Sequence, residues 1–317
     1  GVKGMTVPVF LEFVEIKTKL ASLFPFVLGT LFTLYHFGSI NALNTILFFI
    51  AMVVFDMATT AINNTMDYVK AKNLVYRDEE NILGKAGISV KQAAKIIVSM
   101  IAFAALLGLI LTARTDLLLL MIGALCFAIG ILYTFGPFPI SRMPLGEVAS
   151  GLTMGFGIFF IAVFVNVPAG TLASLLLQWP NFTLAGSIAN LLFILLQSAP
   201  LVFSIANIML ANNICDYETD ISNHRYTLTF YIGKPVAVRL YAWLYYGAFA
   251  ATTLSVLFGI YPVWMLFIWA IFPIVQRNIN RFKAKQDKAT TFDLAIKNLI
   301  LYHGLEIILL IVSLILK

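Results

Sequence analysis

The chain has 317 residues, of which 61% are hydrophobic and 11% charged, and its mean hydropathy is +0.93. A soluble globular domain is about half apolar and about a quarter charged, so this composition excludes one and indicates an integral membrane protein. The net charge of +6 follows from how basic residues flank the apolar segments, and it implies no nucleic-acid partner.

Apolar runs recur along almost the whole length, most of them long enough to cross a bilayer, which takes about 20 residues. A short segment around Val9 to Glu15 has the pattern of an interfacial helix. Nine transmembrane helices are then expected at 18–36, 44–69, 91–112, 117–135, 146–166, 187–214, 236–257, 262–276 and 295–316. The eighth is short and contains Pro273. No signal-peptide cleavage site is evident, because the first apolar run leads straight into the helical pattern. Gly1 to Gly4, ahead of Met5, read as an added remnant. The expectation is one all-α transmembrane domain over residues 1–317.

Basic residues set the orientation. The N-terminal segment and the connections after spans two, four, six and eight carry nearly all of them, including Lys17, Lys19, Lys70, Lys72, Arg77, Lys85, Arg142, Arg225, Lys234, Arg277, Arg281 and Lys288. The opposite side has Arg114 and Lys317. By the positive-inside rule the N-terminus is cytoplasmic and the C-terminus external, in a cell (inner or plasma) membrane. Cys126 lies in an apolar run and Cys215 beside Asp216, which indicates no disulfide framework. His36, His224 and His303 lack metal-ligand spacing and read as packing or loop residues.

Two polar clusters interrupt this apolar chain at the ends of even-numbered spans. The first is Asn63-Asn64-Thr65-Met66-Asp67, and the second is Asn212-Asn213-Ile214-Cys215-Asp216-Tyr217-Glu218-Thr219-Asp220. Carboxylates and amides are costly in a membrane segment, so they are functional candidates. Asp56, Thr60, Asn63 and Asp67 fall at steps of four, three and four, which puts them on one helix face, as do Asn212, Asp216 and Asp220. The alternative is interhelical hydrogen bonding; two such clusters on one side, beside basic loops, favour a site. Asp56, about two turns deeper than Asn63, is equally well a structural contact. Oxygen donors of this kind suit magnesium, which is usually bound by one or two carboxylates together with substrate phosphates. Lys70 and Lys85 follow the first cluster and Arg225 the second, supplying positive charge for anionic oxygens. Lys288 belongs to a basic run that reads as topological. The loop after the fourth span carries Tyr133, Arg142 and Glu147 around a rigid Gly–Pro turn.

With these residues in place the chain resembles the UbiA superfamily of intramembrane aromatic prenyltransferases, which have nine transmembrane helices and aspartate-rich motifs after helices two and six. Asn63, Asn64 and Asp67 stand where the first motif, NDxxDxxxD, would fall, and Asp216 and Asp220 match the DxxxD of the second. Within the superfamily the chain looks most like the 1,4-dihydroxy-2-naphthoate polyprenyltransferases of menaquinone synthesis, on Asn212-Asn213-Ile214, Glu218-Thr219-Asp220, Tyr226-Thr227-Leu228, Leu145-Gly146-Glu147 and Gly87-Ile88-Ser89. It departs from the motif at Asn64, where Asp is usual, and at Ala71, where the last Asp would stand.

The resemblance implies a UbiA-type helical bundle with a cytoplasm-facing active site and a Mg2+-dependent reaction. Asn63, Asn64, Asp67, Asp216 and Asp220 would hold the metal. Asn63, Lys70, Lys85, Asn212, Asn213 and Arg225 would bind the diphosphate of a polyprenyl diphosphate. Asp67, Asp216, Asp220, Arg142 and Tyr133 would be catalytic. The acceptor implied is 1,4-dihydroxy-2-naphthoate, which loses carbon dioxide to give demethylmenaquinone. Other acceptors within the superfamily are 4-hydroxybenzoate, haem or a glycerol phosphate. Outside it, a cation-coupled transporter is the alternative, although transporter sites lie near the midplane and these acids lie near one interface.

Overall fold

The computed structural model describes residues 4–317, with the side chains of residues 17, 18, 20 and 21 outside the description. The first three residues of the suggested N-terminal remnant are likewise outside it. Helix α1 (Val7–Phe13) precedes α2 (Leu20–Phe32), which widens into a π-helical stretch at Thr33–Phe37. Then come α3 (Ala42–Lys70), the short α4 (Ile82–Ala86), α5 (Val90–Arg114) and α6 (Leu118–Leu132). Helices α7 (Gly146–Ser150) and α8 (Ile158–Phe164) are joined through a π-helical stretch at Gly151–Gly157. Strands β1 (Ala173–Gln178) and β2 (Asn181–Gly186) follow, then α9 (Ile188–Cys215), α10 (Tyr217–Ser222), α11 (Leu228–Ile232) and α12 (Lys234–Leu257). A 3-10 stretch at Val263–Ile271 leads into α13 (Phe272–Ala284), and α14 (Asp293–Ile315) ends the chain.

Helix therefore occupies each of the nine expected segments among the described residues. Six are long and apolar enough to cross a membrane: α3, α5, Gly146–Phe164, α9, α12 and α14. Ser22–Phe37 and α6 are shorter apolar helices. The eighth segment runs further than expected, to Ala284, because Pro273 falls in the first turn of α13. A proline there loses no helical hydrogen bond and sets a helical φ. Two features were not expected: the antiparallel β1–β2 hairpin, and the short helices α4, α10 and α11 in the connections.

The chain forms two compact units, one up to Ser22 with Ile46–Pro139 and the other Leu23–Thr45 with Ile140–Lys317. In the first, Phe13 and Val14 pack with Ala58, Ala61 and Ile62 of α3, Ile82 and Leu83 of α4, and Ala93, Ile97 and Met100 of α5. The same unit settles the place of Asp56. Its Oδ1 lies 3.2 Å from Lys19 Nζ, which also donates to Thr60 Oγ1 at 2.5 Å. Lys19 is buried, and a lone buried ammonium is strongly unfavourable; Asp56 is the counter-charge that permits it.

In the second unit, α9 packs on Gly151–Gly157 and on α12. Gly155 faces the backbone of Val202, and a Cβ there would sit 2.7 Å from the Val202 nitrogen; at Gly151 it would sit 2.8 Å from the Val202 oxygen. Only glycines spaced four apart permit this approach, the small-residue contact common between membrane helices. Ser204, His303 and Glu306 form a buried chain, with Ser204 Oγ 2.5 Å from His303 Nε2 and His303 Nδ1 2.9 Å from Glu306 Oε1. His303 is thus a packing residue that ties α9 to α14.

Removing Asp56 leaves Lys19 buried without its counter-charge. Asp56→Ala should therefore destabilise the protein by about 3 kcal/mol, seen as a lower melting temperature in detergent. The double replacement Lys19→Met/Asp56→Leu should recover most of that loss.

Candidate functional site

Each acidic cluster sits where its helix ends. Helix α3 is unbroken to Lys70, so Asp56, Thr60, Asn63 and Asp67 form one stripe along it. Asp67 and Lys70 are exposed and Asn63 is half-buried. Asn64 points elsewhere: its Nδ2 donates to the Phe13 carbonyl at 2.9 Å, and its backbone carbonyl accepts from Asn81 Nδ2 at 3.0 Å. The side chain expected to replace a metal-binding aspartate instead fastens α3 to the end of α1. Lys85, expected at the diphosphate, is exposed and lies 3.1 Å from Glu12. Tyr133 caps α6 and is half-buried.

The second cluster is the better-defined one. Helix α9 breaks at Asp216, and α10 starts at Tyr217. Backbone bonds from Asp216 N to Asn212 O (3.0 Å) and from Asp220 N to Asp216 O (2.7 Å) carry the four-residue step across the joint. Asn212, Asp216 and Asp220 therefore stay in line. Lys288 Nζ lies 3.0 Å from Asp216 Oδ2 and also donates to Asn212 Oδ1. With its carbonyl so engaged, Asn212 keeps its amide N–H groups as its remaining donors.

Asp220 is buried. Its Oδ1 lies 3.9 Å from Arg225 Nη1, and its Oδ2 has no hydrogen-bond partner. Burial pushes its carboxyl up to about 6, and the neighbouring charge of Asp216 adds to the rise, while Arg225, Lys288 and Arg142 oppose it. Arg142 is exposed, yet its charge reaches Asp220. Arg225 is held in place, its Nε donating to the Ser141 carbonyl at 3.0 Å and its backbone N–H to the Asp220 carbonyl at 2.8 Å.

Asn213 faces the other way from Asn212 and is buried. Its Nδ2 donates to Glu147 Oε1 at 2.8 Å. The glycine contacts at Val202 lie on the Gly151–Gly157 stretch that continues α7; α7 itself packs on α9, and its Glu147 meets Asn213. A carboxylate accepts but does not donate, so it fixes which end of the amide it meets. Asn213 Oδ1 is left buried without a partner, as is Glu147 Oε2. The expected role of Asn213 as a diphosphate donor is therefore altered: one N–H is taken by Glu147, and the buried oxygen left without a partner is an acceptor, suited to a cation or a hydroxyl. Glu147 and Lys288 are the site residues that sequence reasoning missed. Glu147 carried a signal, because it stands in the Leu145-Gly146-Glu147 stretch beside Arg142. Lys288 carried none, since it is far from Asp216 in the chain and sits in a run explained by topology.

Among the described residues no three or more His, Cys, Asp or Glu side chains gather into a ready metal cluster. The orphaned Asp220 Oδ2 and Asn213 Oδ1 are nonetheless hard oxygen donors, the type magnesium takes, so the second cluster fits that ion.

The second cluster is thus a carboxylate–amide line at a helix end, edged by Arg225, Arg142 and Lys288, in a chain whose apolar helices define a membrane protein. Residues 22–300 match the UbiA prenyltransferase family, and the chain belongs to it. It is a prenyltransferase and a multi-pass membrane protein. It is 27% identical over 272 residues to the 1,4-dihydroxy-2-naphthoate octaprenyltransferase of Bacillus subtilis (strain 168), covering 84% of this chain and 79% of that one. Its fold is that of an apo UbiA homologue from Aeropyrum pernix K1 (TM-score 0.68, 19% identity, 92% and 98% of the two chains). A homologue from Archaeoglobus fulgidus bound to GPP and Mg2+ also shares the fold (TM-score 0.63, 14% identity, 96% and 99%).

Glu147→Ala should cost about 1–3 kcal/mol, because it strands the buried Asn213 amide. Glu147→Gln keeps a carbonyl for that amide and should cost much less. Thermal unfolding of the two variants in one detergent checks the difference.

Proposed function

We propose that the protein transfers a polyprenyl group from polyprenyl diphosphate to 1,4-dihydroxy-2-naphthoate, with loss of carbon dioxide, in a magnesium-dependent reaction. The observation that carries this reading is the likeness, over 84% of the chain, to an enzyme named for that acceptor. The magnesium part is supported by the orphaned oxygens of Asp220 and Asn213 and by the Mg2+ bound with GPP in the Archaeoglobus fulgidus homologue.

In this reading Asp216, Asp220 and the Asn213 carbonyl of the second motif are side chains that would hold magnesium, and Asn63 and Asp67 of the first motif are metal ligands on the family resemblance alone. When bound, the ion supplies positive charge for the diphosphate oxygens as the leaving group departs. Asn212, Arg225 and Lys288 would donate N–H bonds to those oxygens, Arg142 adds charge at the same edge, and Lys70 joins them on the family resemblance. Fixed donors of this kind stabilise charge where it develops. The allylic C–O bond breaks with its electron pair going to the diphosphate. The resulting cation is attacked by the ring carbon that bears the acceptor's carboxylate. That carboxylate leaves as carbon dioxide, and its bonding pair restores the ring, so no oxidant or reductant is needed. Tyr133 keeps, in this reading, the catalytic role that the family resemblance implies for it, a ring contact for the cation. Lys85, paired with Glu12, takes a supporting role, and Asn64 a structural one. The nine helices span the membrane with the basic loops, including those of Arg142 and Arg225, in the cytoplasm and the C-terminus external.

Purified protein given geranylgeranyl diphosphate and a panel of aromatic acids should yield a prenylated, decarboxylated naphthoquinol by mass spectrometry. Asp67→Ala and Asp216→Ala should each remove turnover while the protein stays folded. Product from 4-hydroxybenzoate alone would reassign the acceptor, and near-normal turnover in both variants would overturn the site. Aqueous thiol labelling of single cysteines should reach position 142 from the cytoplasmic face only.

A further inference from the structure

The hairpin of β1 and β2 is unexplained by the enzymatic reading. Its register pairs Leu175 with Leu184 and Leu177 with Phe182, and between them Ser174 with Ala185, Leu176 with Thr183 and Gln178 with Asn181. Directly paired residues share a face, and successive residues alternate faces. One face is therefore Leu175, Leu177, Phe182 and Leu184, and the other is polar or small (Ser174, Gln178, Asn181, Thr183, Ala185) apart from Leu176. Leu175 is half-buried, but the rest of the apolar face is open: Leu177 is 59% exposed, Phe182 70% and Leu184 62%, while Trp179 at the turn is 90% exposed.

An isolated two-stranded hairpin is marginal in water, and an uncovered apolar strand there invites aggregation. This one is nevertheless well anchored at its base, where Ser187 N donates to the Leu172 carbonyl at 2.8 Å and Asn190 Nδ2 to the Thr171 carbonyl at 2.9 Å. The base lies on the helices that flank it. The helix Gly146–Phe164 has 19 residues, about 28 Å at 1.5 Å each, close to the ~30 Å of a bilayer core. The chain thus reaches the membrane boundary where the hairpin begins. On the other side α9 starts with exposed Ile188, Leu192 and Leu195, so the apolar surface continues from the hairpin into a membrane helix. No residue from Val148 to Cys215 is charged.

We propose that this hairpin is an interfacial anchor. It lies along the boundary between lipid headgroups and acyl chains, with Leu177, Phe182 and Leu184 in the acyl region and Gln178, Asn181 and Thr183 toward water. Trp179 takes the interfacial position that tryptophan favours, with its indole N–H in the headgroups. A second copy of the chain is the poorer occupant, because a specific interface buries about 800 Å2 per partner, more than these few side chains offer.

The test uses a single-tryptophan protein (Trp243→Phe, Trp264→Phe, Trp269→Phe) in lipid vesicles. Trp179 emission should be blue-shifted, and quenched severalfold more by phospholipid brominated high in the acyl chain than by aqueous iodide. Strong iodide quenching with no effect of brominated lipid would place the hairpin in water and overturn the proposal. Quenching by neither, with Phe182→Cys forming disulfide-linked dimers, would make this face a contact between copies and also overturn it. If the triple variant does not fold, Trp179→Cys carrying an environment-sensitive fluorophore, with Cys126 and Cys215 replaced by Ala, is read against the same quenchers with the same criteria.

Discussion

The close seating of Gly151 and Gly155 on the Val202 backbone is the contact on which the second motif depends. It holds two helices closer than any side chain would permit. That approach brings the Glu147 carboxylate to the Asn213 amide, and the carboxylate decides that Asn213 shows its carbonyl rather than its N–H groups. One residue earlier, Lys288 has the reverse effect on Asn212, engaging the carbonyl and leaving the amide free. Two adjacent asparagines thereby acquire opposite polarity, one an acceptor and the other a donor. Such a pair suits a cation and the anion it accompanies.

A chain that is 11% charged and folded for a membrane has few ways to keep a charge inside. Several of the buried or half-buried charges among the described residues are paired. Lys19 has Asp56, Asp216 has Lys288, Glu147 has Asn213, and Glu306 has His303. Asp220 is the informative case, because Arg225 only approaches it at 3.9 Å and one oxygen has no partner. A carboxylate left short in this way resists ionisation, and a bound cation would relieve it.

Much of this was legible in the sequence. Long apolar runs placed the helices, and steps of three and four placed the polar stripes, because helical periodicity is a local property. Asp216 and Asp220 were readable for the same reason. What escaped was non-local. The partner of Asp56 lies on another segment, and the two roles it was given could not be separated until Lys19 was seen beside it. Asn64 fills a motif position, yet its neighbour is the Phe13 carbonyl, which no spacing rule announces. Lys288 lies in a basic run that topology alone explained. The hairpin was hidden because Leu175 to Leu177 is an unbroken apolar run, which by itself does not distinguish strand from helix.

The central claim is that the buried oxygens of the second motif bind a divalent cation. Electron paramagnetic resonance of Mn2+, used in place of Mg2+, titrated into the purified protein measures this without turnover. Wild-type protein should bind Mn2+ saturably, magnesium should displace it, and Asp220→Asn should weaken the binding by about tenfold or more, in the range that losses around a metal site produce. No saturable binding by the wild type, or unchanged binding by a folded Asp220→Asn, would contradict the account.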